Sequence, residues 1–318
     1  MIDVDAARTR QALIDGVLEF LSGQDLLTRV EIQSALEREV DAAGATALRQ
    51  LRERLLIDSD WDYAPADPLA RRIHHLLADR FLETESYVTG ADSLQRLARQ
   101  PLVIMANHLS YADANVIDVL LQRCGAGEVA TRLTALAGPK VYLERNRRFS
   151  SLCFGTIKVP QSTEVSSEEA VLPSREVARA ARKAISAAHD RLAMGDALVL
   201  FAEGTRSRTA AMRPLLAAAA RYLERPGTWI VPVGLTGSEE LFPIGDSTIR
   251  PCRVELRVGP PLSATTLLAA SQGDRRLTMD AIGLAIAALL PARYRGAYAD
   301  AGAFTDAGAV LARAEQPS

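Results

Sequence analysis

The sequence predicts an α/β protein, with a mixed, largely parallel sheet flanked by helices and preceded by an all-helical N-terminal region. Three observations predict it. Short apolar runs with strand character are confined to residues 101–259. Helical patterns separate most of them, which is the mark of strands joined by crossover helices. Residues 1–99 show helical spacing and no such run.

In chain order, Ile32, Leu36, Val40, Leu48, Leu51 and Leu55 form one long amphipathic stretch, broken at Gly44, and Ile73, Leu76, Leu77 and Phe81 form another. The run PLVIMAN at 101–107, opened by Pro101, suits a buried strand. Further strands are predicted in LTALAG at 133–138, GTIKVP at 155–160, ALVLFAEG at 197–204, WIVPVGL at 229–235 and CRVELRVG at 252–259. The clearest helix is 174–195, with Ser174 as N-cap, Glu176 in the first turn and Gly195 at its close. Residues 301–318 read as a short helix and a frayed end. The division is therefore 1–95 helical, 96–300 catalytic and 301–318 tail.

Composition narrows the function. The 318 residues are 48% hydrophobic and 24% charged, which excludes a disordered chain. With 37 basic and 39 acidic residues the net charge is −2, so the global positive field of a nucleic-acid binder is missing and any anion site must be local. Lysine occurs only at Lys140, Lys158 and Lys183, and the remaining cations are arginines. Cys124, Cys153 and Cys252 are widely spaced and odd in number, which suits reduced thiols and no metal or disulfide framework. The acidic N-terminus has no apolar core of a signal peptide, so the protein is expected in the cytoplasm. The apolar run from Ala281 to Ala292 is too short to cross a bilayer, so lipid would be approached from the surface.

Two segments could carry chemistry. In ANHLSYADANVID, a strand ends at Asn107, and a turn there can fold His108 back onto Asp113, where a helix begins. A carboxylate that fixes the tautomer of an imidazole makes a general base. Spacing alone does not establish this, because His74 and Asp79 are equally far apart. Those two lie on a helix, about 140° apart around its axis, and cannot readily meet. His74 and His75 therefore read as ordinary surface or interface residues. The second segment, FAEGTRSR at 201–208, follows an apolar strand. Arg206 and Arg208 can present planar forks to a phosphate, and Glu203 can accept a hydrogen bond from a hydroxyl. A helix-initiating turn with solvated charges fits this segment equally well.

Taken in order, these segments resemble the glycerolipid O-acyltransferase family, which includes the glycerol-3-phosphate and 1-acylglycerol-3-phosphate acyltransferases. The family's first block, NHxSxxD, is matched by Asn107, His108, Ser110 and Asp113. Its third block, FPEGTRS, is matched by Phe201, Glu203, Gly204, Thr205, Arg206 and Ser207, with Ala202 in place of Pro. The fourth, an apolar strand with a central Pro, is matched around Pro232. The second block departs: where the family has GxxFIxR, this chain has GTIKVPQ, with Gln161 at the Arg position. Lys158, three residues earlier, points to the other face of a strand and is no equivalent fork. Lys140, Arg145, Arg147 and Arg148 could substitute, or could form a solvated loop. The stretch before this block also resembles, loosely, the soluble plastid glycerol-3-phosphate acyltransferases, which carry a helical domain ahead of the catalytic one.

The resemblance implies transfer of a fatty acyl group from acyl-CoA or acyl carrier protein to a hydroxyl of a glycerophosphate or lysophospholipid acceptor, first of all 1-acyl-sn-glycerol 3-phosphate, in phospholipid biosynthesis. Glycerol 3-phosphate, or a lipid or natural-product hydroxyl without phosphate, is the alternative acceptor. His108 would be the base, Asp113 its orienter and a backbone N–H near His108 an oxyanion donor. Asn107, Ser110, Lys158, Glu203, Gly204, Thr205, Arg206 and Arg208 would bind substrate. No cofactor, metal or covalent acyl-enzyme is expected, since Ser110 lacks a GxSxG elbow. A thioesterase and a non-catalytic lipid-binding protein are the rivals from other classes, and peripheral membrane contact is expected if the acceptor is a lipid.

Overall fold

The computed structural model describes residues 4–56, 62–142, 145–160, 174–243 and 248–315. Among the described residues nine strands form one sheet: β1 Tyr63–Ala64, β2 Tyr87–Thr89, β3 Leu102–Ala106, β4 Leu133–Ala137, β5 Gly155–Lys158, β6 Ala197–Leu200, β7 Trp229–Thr236, β8 Glu255–Val258 and β9 Leu262–Ser263. Their order is β1-β5-β4-β6-β3-β7-β8-β2, with β9 pairing a second stretch of β7. The centre, β5-β4-β6-β3-β7, is parallel throughout. Among the described residues, antiparallel pairs occur only where β1 meets β5 and where β8 and β9 meet β7. All six predicted strands are present.

The central strands are apolar without alternation because both their faces are covered. Every residue of β3 and β6 is buried. Pro232 sits in β7 between the residues that pair with β9 and those that pair with β8, and its carbonyl accepts from the N–H of Gly259. Its missing N–H therefore falls in a gap of that ladder, which is where a strand tolerates proline.

The N-terminal region is helical as expected, but it also lends β1 and β2 to the sheet. Helices Val4–Phe20, Leu26–Leu56 and Pro68–Phe81 pack in sequence, and Pro68–Phe81 also packs on helix Asp113–Arg123. Their buried residues, among them Ile14, Leu36, Leu51 and Ile73, join the same apolar core as the sheet. The expected break at Gly44 is present: its φ of 76° and ψ of 168° are closed to side chains that carry a Cβ. Helix Ser174–Ala193 ends with Gly195 at φ 94°, and the short helix expected in the tail is present as Thr305–Ala314, packed on Arg275–Ala288; the expected frayed end, 316–318, lies outside the described residues. The three cysteines are unpaired. Among the described residues, no helix is long and apolar enough to cross a membrane.

Candidate active site

The site begins where β3 runs out. Asn107 continues the β3–β7 ladder with its side chain: Nδ2 donates to the Leu235 carbonyl at 2.9 Å and Oδ1 accepts from the Leu235 N–H at 2.8 Å. That clamp fixes the residue after it. His108 Nδ1 lies 2.9 Å from Asp113 Oδ2. The same oxygen accepts from the N–H groups of Leu109 and Ser110, at 2.6 and 2.9 Å, and Asp113 Oδ1 accepts from Ser238 Oγ at 2.7 Å. Asp113 is fully buried at the first turn of its helix, where the helix dipole also favours a negative charge. With the carboxylate satisfied in this way, Nδ1 carries the proton and Nε2 is left with a lone pair. Among the described residues Nε2 has no hydrogen-bond partner, and His108 lines a cavity of about 1800 Å³.

The segment after β6 holds this turn in place. Glu203 Oε1 accepts from His108 N–H at 2.8 Å and Oε2 accepts from Arg213 N–H at 2.7 Å, while Ser207 N–H donates to the His108 carbonyl at 2.8 Å. Phe201 stacks on the imidazole, with centroids 4.4 Å apart and planes 19° from parallel. Burial raises the Glu203 carboxyl from 4.5 to about 7, against the pull of its two N–H donors.

Several expected roles change. Asn107, Ser110 and Glu203 are buried and absent from the cavity wall, so they shape the turn rather than touch substrate. Ser110 Oγ accepts from Ala112 N–H, a turn bond that suits no nucleophile. The N–H groups of residues 108, 109 and 110 are all spent on Glu203 and Asp113, so the expected oxyanion donor is not among them. Lys158 also lies outside the wall, with its Nζ 4.7 Å from the ring of Tyr142. Gln161 and the side chain of Arg145 lie outside the described residues. Gly204, Thr205, Arg206 and Arg208 line the cavity with His108.

The sequence reading missed four contributors. Tyr111 lies edge-on to His108 at 6.4 Å, and the guanidiniums of Arg147 and Arg206 stand 4.2 and 4.5 Å from its ring. Ser238 is placed by Gly237, whose φ of 90° and approach to the Arg253 carbonyl admit no Cβ. Phe201 is legible only as a motif letter. His74 is the fourth: it is not a surface residue but lines the cavity, and its Nε2 is buried without a partner. Burial lowers its pKa to about 4. The cause is packing, since its helix lies against three others, Leu26–Leu56, Asp113–Arg123 and Arg145–Ser151. His75 Nε2 instead meets the buried Asp118 at 2.7 Å, and Asp79 pairs with Arg123, so His74 and Asp79 stay apart as the helical geometry requires.

Away from His108, the cavity runs between the N-terminal helices, with Leu13, Val17, Leu48, Leu51, Leu77 and Phe81 on its walls. Its volume exceeds the roughly 300 to 1,000 Å³ of an ordinary small-molecule pocket. It combines a polar end at the imidazole with a long apolar arm. Among the described residues, no cluster of three or more His, Cys, Asp or Glu is placed to hold a metal.

Comparison with protein families matches residues 85–236 to the family described as Acyltransferase. Comparison with curated proteins gives no match. Among solved structures, the chain is similar to the 1-acyl-sn-glycerophosphate (LPA) acyltransferase PlsC from Thermotoga maritima, at 18% identity and a TM-score of 0.45, over 86% of this chain and 94% of that one.

Proposed function

We propose, from the match of residues 85–236 to the family described as Acyltransferase, that this chain is an acyltransferase that transfers a fatty acyl group from acyl-CoA or acyl carrier protein to a glycerophosphate hydroxyl, with 1-acyl-sn-glycerol 3-phosphate as the first candidate acceptor. One observation carries the mechanism: the 2.9 Å contact of His108 Nδ1 with a fully satisfied Asp113, which leaves Nε2 facing the cavity.

A hydroxyl is a weak nucleophile at neutral pH. His108 Nε2 takes its proton as the oxygen attacks the thioester carbonyl, and Asp113 stabilises the imidazolium that forms. The tetrahedral intermediate then collapses, the C–S bond breaks, and the imidazolium returns the proton to the departing thiolate. No acyl-enzyme intervenes. Thr205 and Arg206 line the cavity and their N–H groups bond to no described residue, so these are the candidates to hold the oxyanion. Glu203 and Ser207 act as positioning residues through the His108 backbone. The apolar arm would take the acyl chain. The acceptor's own acyl chain would keep it in a bilayer, so we place the reaction at the cytoplasmic face of a membrane.

The test is an acceptor screen with one acyl-CoA, the products identified by mass. Acylation of a lysophosphatidic acid is expected, with thiol release dependent on the acceptor. Rapid release without any acceptor would instead identify a thioesterase.

A further inference from the structure

A second branch of the cavity runs beside helix Ser174–Ala193. Val177, Ala181 and Ile185, four residues apart on that helix, line it over about 12 Å. Ala218, Ala219, Arg221 and Tyr222 line it from the 3-10 helix Ala217–Leu223. The two helices pack on each other, with His189 Nε2 3.1 Å from the Arg221 carbonyl. The 3-10 helix starts at the catalytic edge of the sheet, where Leu216 N–H donates to the Ala202 carbonyl at 2.8 Å. His189 lies near the end of a helix that leads back to the start of β6, so the 3-10 helix runs away from His108 and carries Arg221 about 10 Å along. Arg221 and Tyr222 are half-buried, and among the described residues the guanidinium and the hydroxyl have no hydrogen-bond or ion-pair partner. Glu224, the carboxylate closest to Arg221 in sequence, is held by Arg275. Burial pushes the Tyr222 hydroxyl up to about 12, so it keeps its proton.

We infer that this branch binds the phosphopantetheine arm of the acyl donor, with Arg221 on its phosphate and Tyr222 on one of its amides. A half-buried guanidinium between apolar walls is costly alone, and an anion beside it removes that cost through charge-assisted hydrogen bonds. The anion must be joined to the reacting group by a long arm, because Arg221 stands well down the branch from the catalytic edge. A glycerophosphate does not fit that requirement, since its phosphate is only a few bonds from its hydroxyl. A fatty acyl chain does not fit either, since it would set a methyl end against the charge. Phosphopantetheine fits both ends: its sulfur carries the acyl group to His108 while its phosphate reaches Arg221. Its amides need polar partners along the way, and the Tyr222 hydroxyl can donate to an amide carbonyl. The arm is common to coenzyme A and acyl carrier protein, so the branch suits either donor. The acyl chain itself is left to the arm between the N-terminal helices.

This assignment rests on the thioester donor of the proposed function, and the test separates the two. Wild type, Arg221→Ala, Arg221→Lys and Tyr222→Phe are assayed with S-acyl pantetheine, S-acyl phosphopantetheine, acyl-CoA and acyl carrier protein of one acyl chain, on 1-acylglycerol 3-phosphate, with melting temperatures in parallel. For Arg221→Ala, KM for S-acyl phosphopantetheine should rise by about tenfold or more while kcat changes far less, as for loss of a charge-assisted bond. KM for S-acyl pantetheine, which has no phosphate, should remain unaltered. Whichever of acyl-CoA and acyl carrier protein the wild type uses should show the same rise, and lysine should restore part of the loss. Tyr222→Phe should raise KM by about threefold for the arm with and without its phosphate. An unaltered KM in Arg221→Ala, or an equal rise for both forms of the arm, overturns the assignment although acyl transfer stands. So does a rise confined to acyl-CoA, which would put the nucleotide at Arg221, and so does an unaltered KM in Tyr222→Phe, which would put the arm outside this branch. If wild type transfers the acyl group from none of these thioesters, the donor reading itself fails, and the assignment with it.

Discussion

His108 has one half-exposed task and several buried supports, and the two kinds of residue respond differently to change. Its side chain is 15% exposed and its Nε2 makes no structural bond among the described residues, so His108→Ala should cost chemistry and little stability. Turnover is expected to fall by about 10²- to 10⁴-fold with the melting temperature nearly held, as read by steady-state kinetics beside thermal denaturation. Near-wild-type turnover would remove the base from the mechanism. Glu203 is the opposite case, buried and fully engaged. Its carboxyl titrates at about 7 in the fold, against 4.5 normally. Between those values the folded protein keeps a proton that the unfolded chain has released. The stability this gives is fully present below about pH 4.5 and is lost as the pH rises through about 7. Compared with Glu203→Gln, the wild type should therefore lose melting temperature between pH 5 and 8. Parallel profiles for the two proteins would show that Glu203 keeps an ordinary pKa.

At the scale of elements, the break in Leu26–Leu56 makes a prediction whose sign is diagnostic. In a continuous exposed helix, Gly→Ala stabilises by about 1 kcal/mol. At Gly44 nothing would obstruct a Cβ, but the backbone conformation is one that only glycine adopts freely. Gly44→Ala should therefore destabilise, by about 1–3 kcal/mol in urea titration. A stabilised variant would mean that the helix runs straight. The break was legible because glycine stands alone inside an otherwise regular apolar period. The two edge strands were not: β1 and β2 have two and three residues, too short for any alternation to register, and they exist because neighbouring strands offer free edges.

At the scale of the molecule, the N-terminal helices and the catalytic sheet build one cavity together. Gly16 lines it from the first helix, and a Cβ there would meet nothing within 4 Å. Gly16→Leu should fill part of the apolar arm while favouring the helix, so donor preference should move to shorter acyl chains with the melting temperature held or raised. Turnover measured over a series of acyl-CoA lengths checks this, and an unaltered length profile would place the acyl chain elsewhere.

The sequence by itself determined six of the described strands, the kink and the pairing of His108 with Asp113. Each of these is written in local order: an apolar run between breakers, a glycine inside a helical period, an imidazole and a carboxylate on either side of one turn. It did not show which motif residues face the substrate. Glu203 and Asn107 read as ligands because they are polar and next to the catalytic turn, yet the fold turns both inward to satisfy backbone groups, Asn107 those of Leu235 in β7 and Glu203 the N–H groups of His108 and Arg213. Nor could the order of residues bring Arg147 and Arg206 to one ring, or bury His74 in the cavity wall. Those facts depend on how separate elements pack, and tertiary structure decided them because contacts between residues distant in sequence leave no periodic trace along the chain.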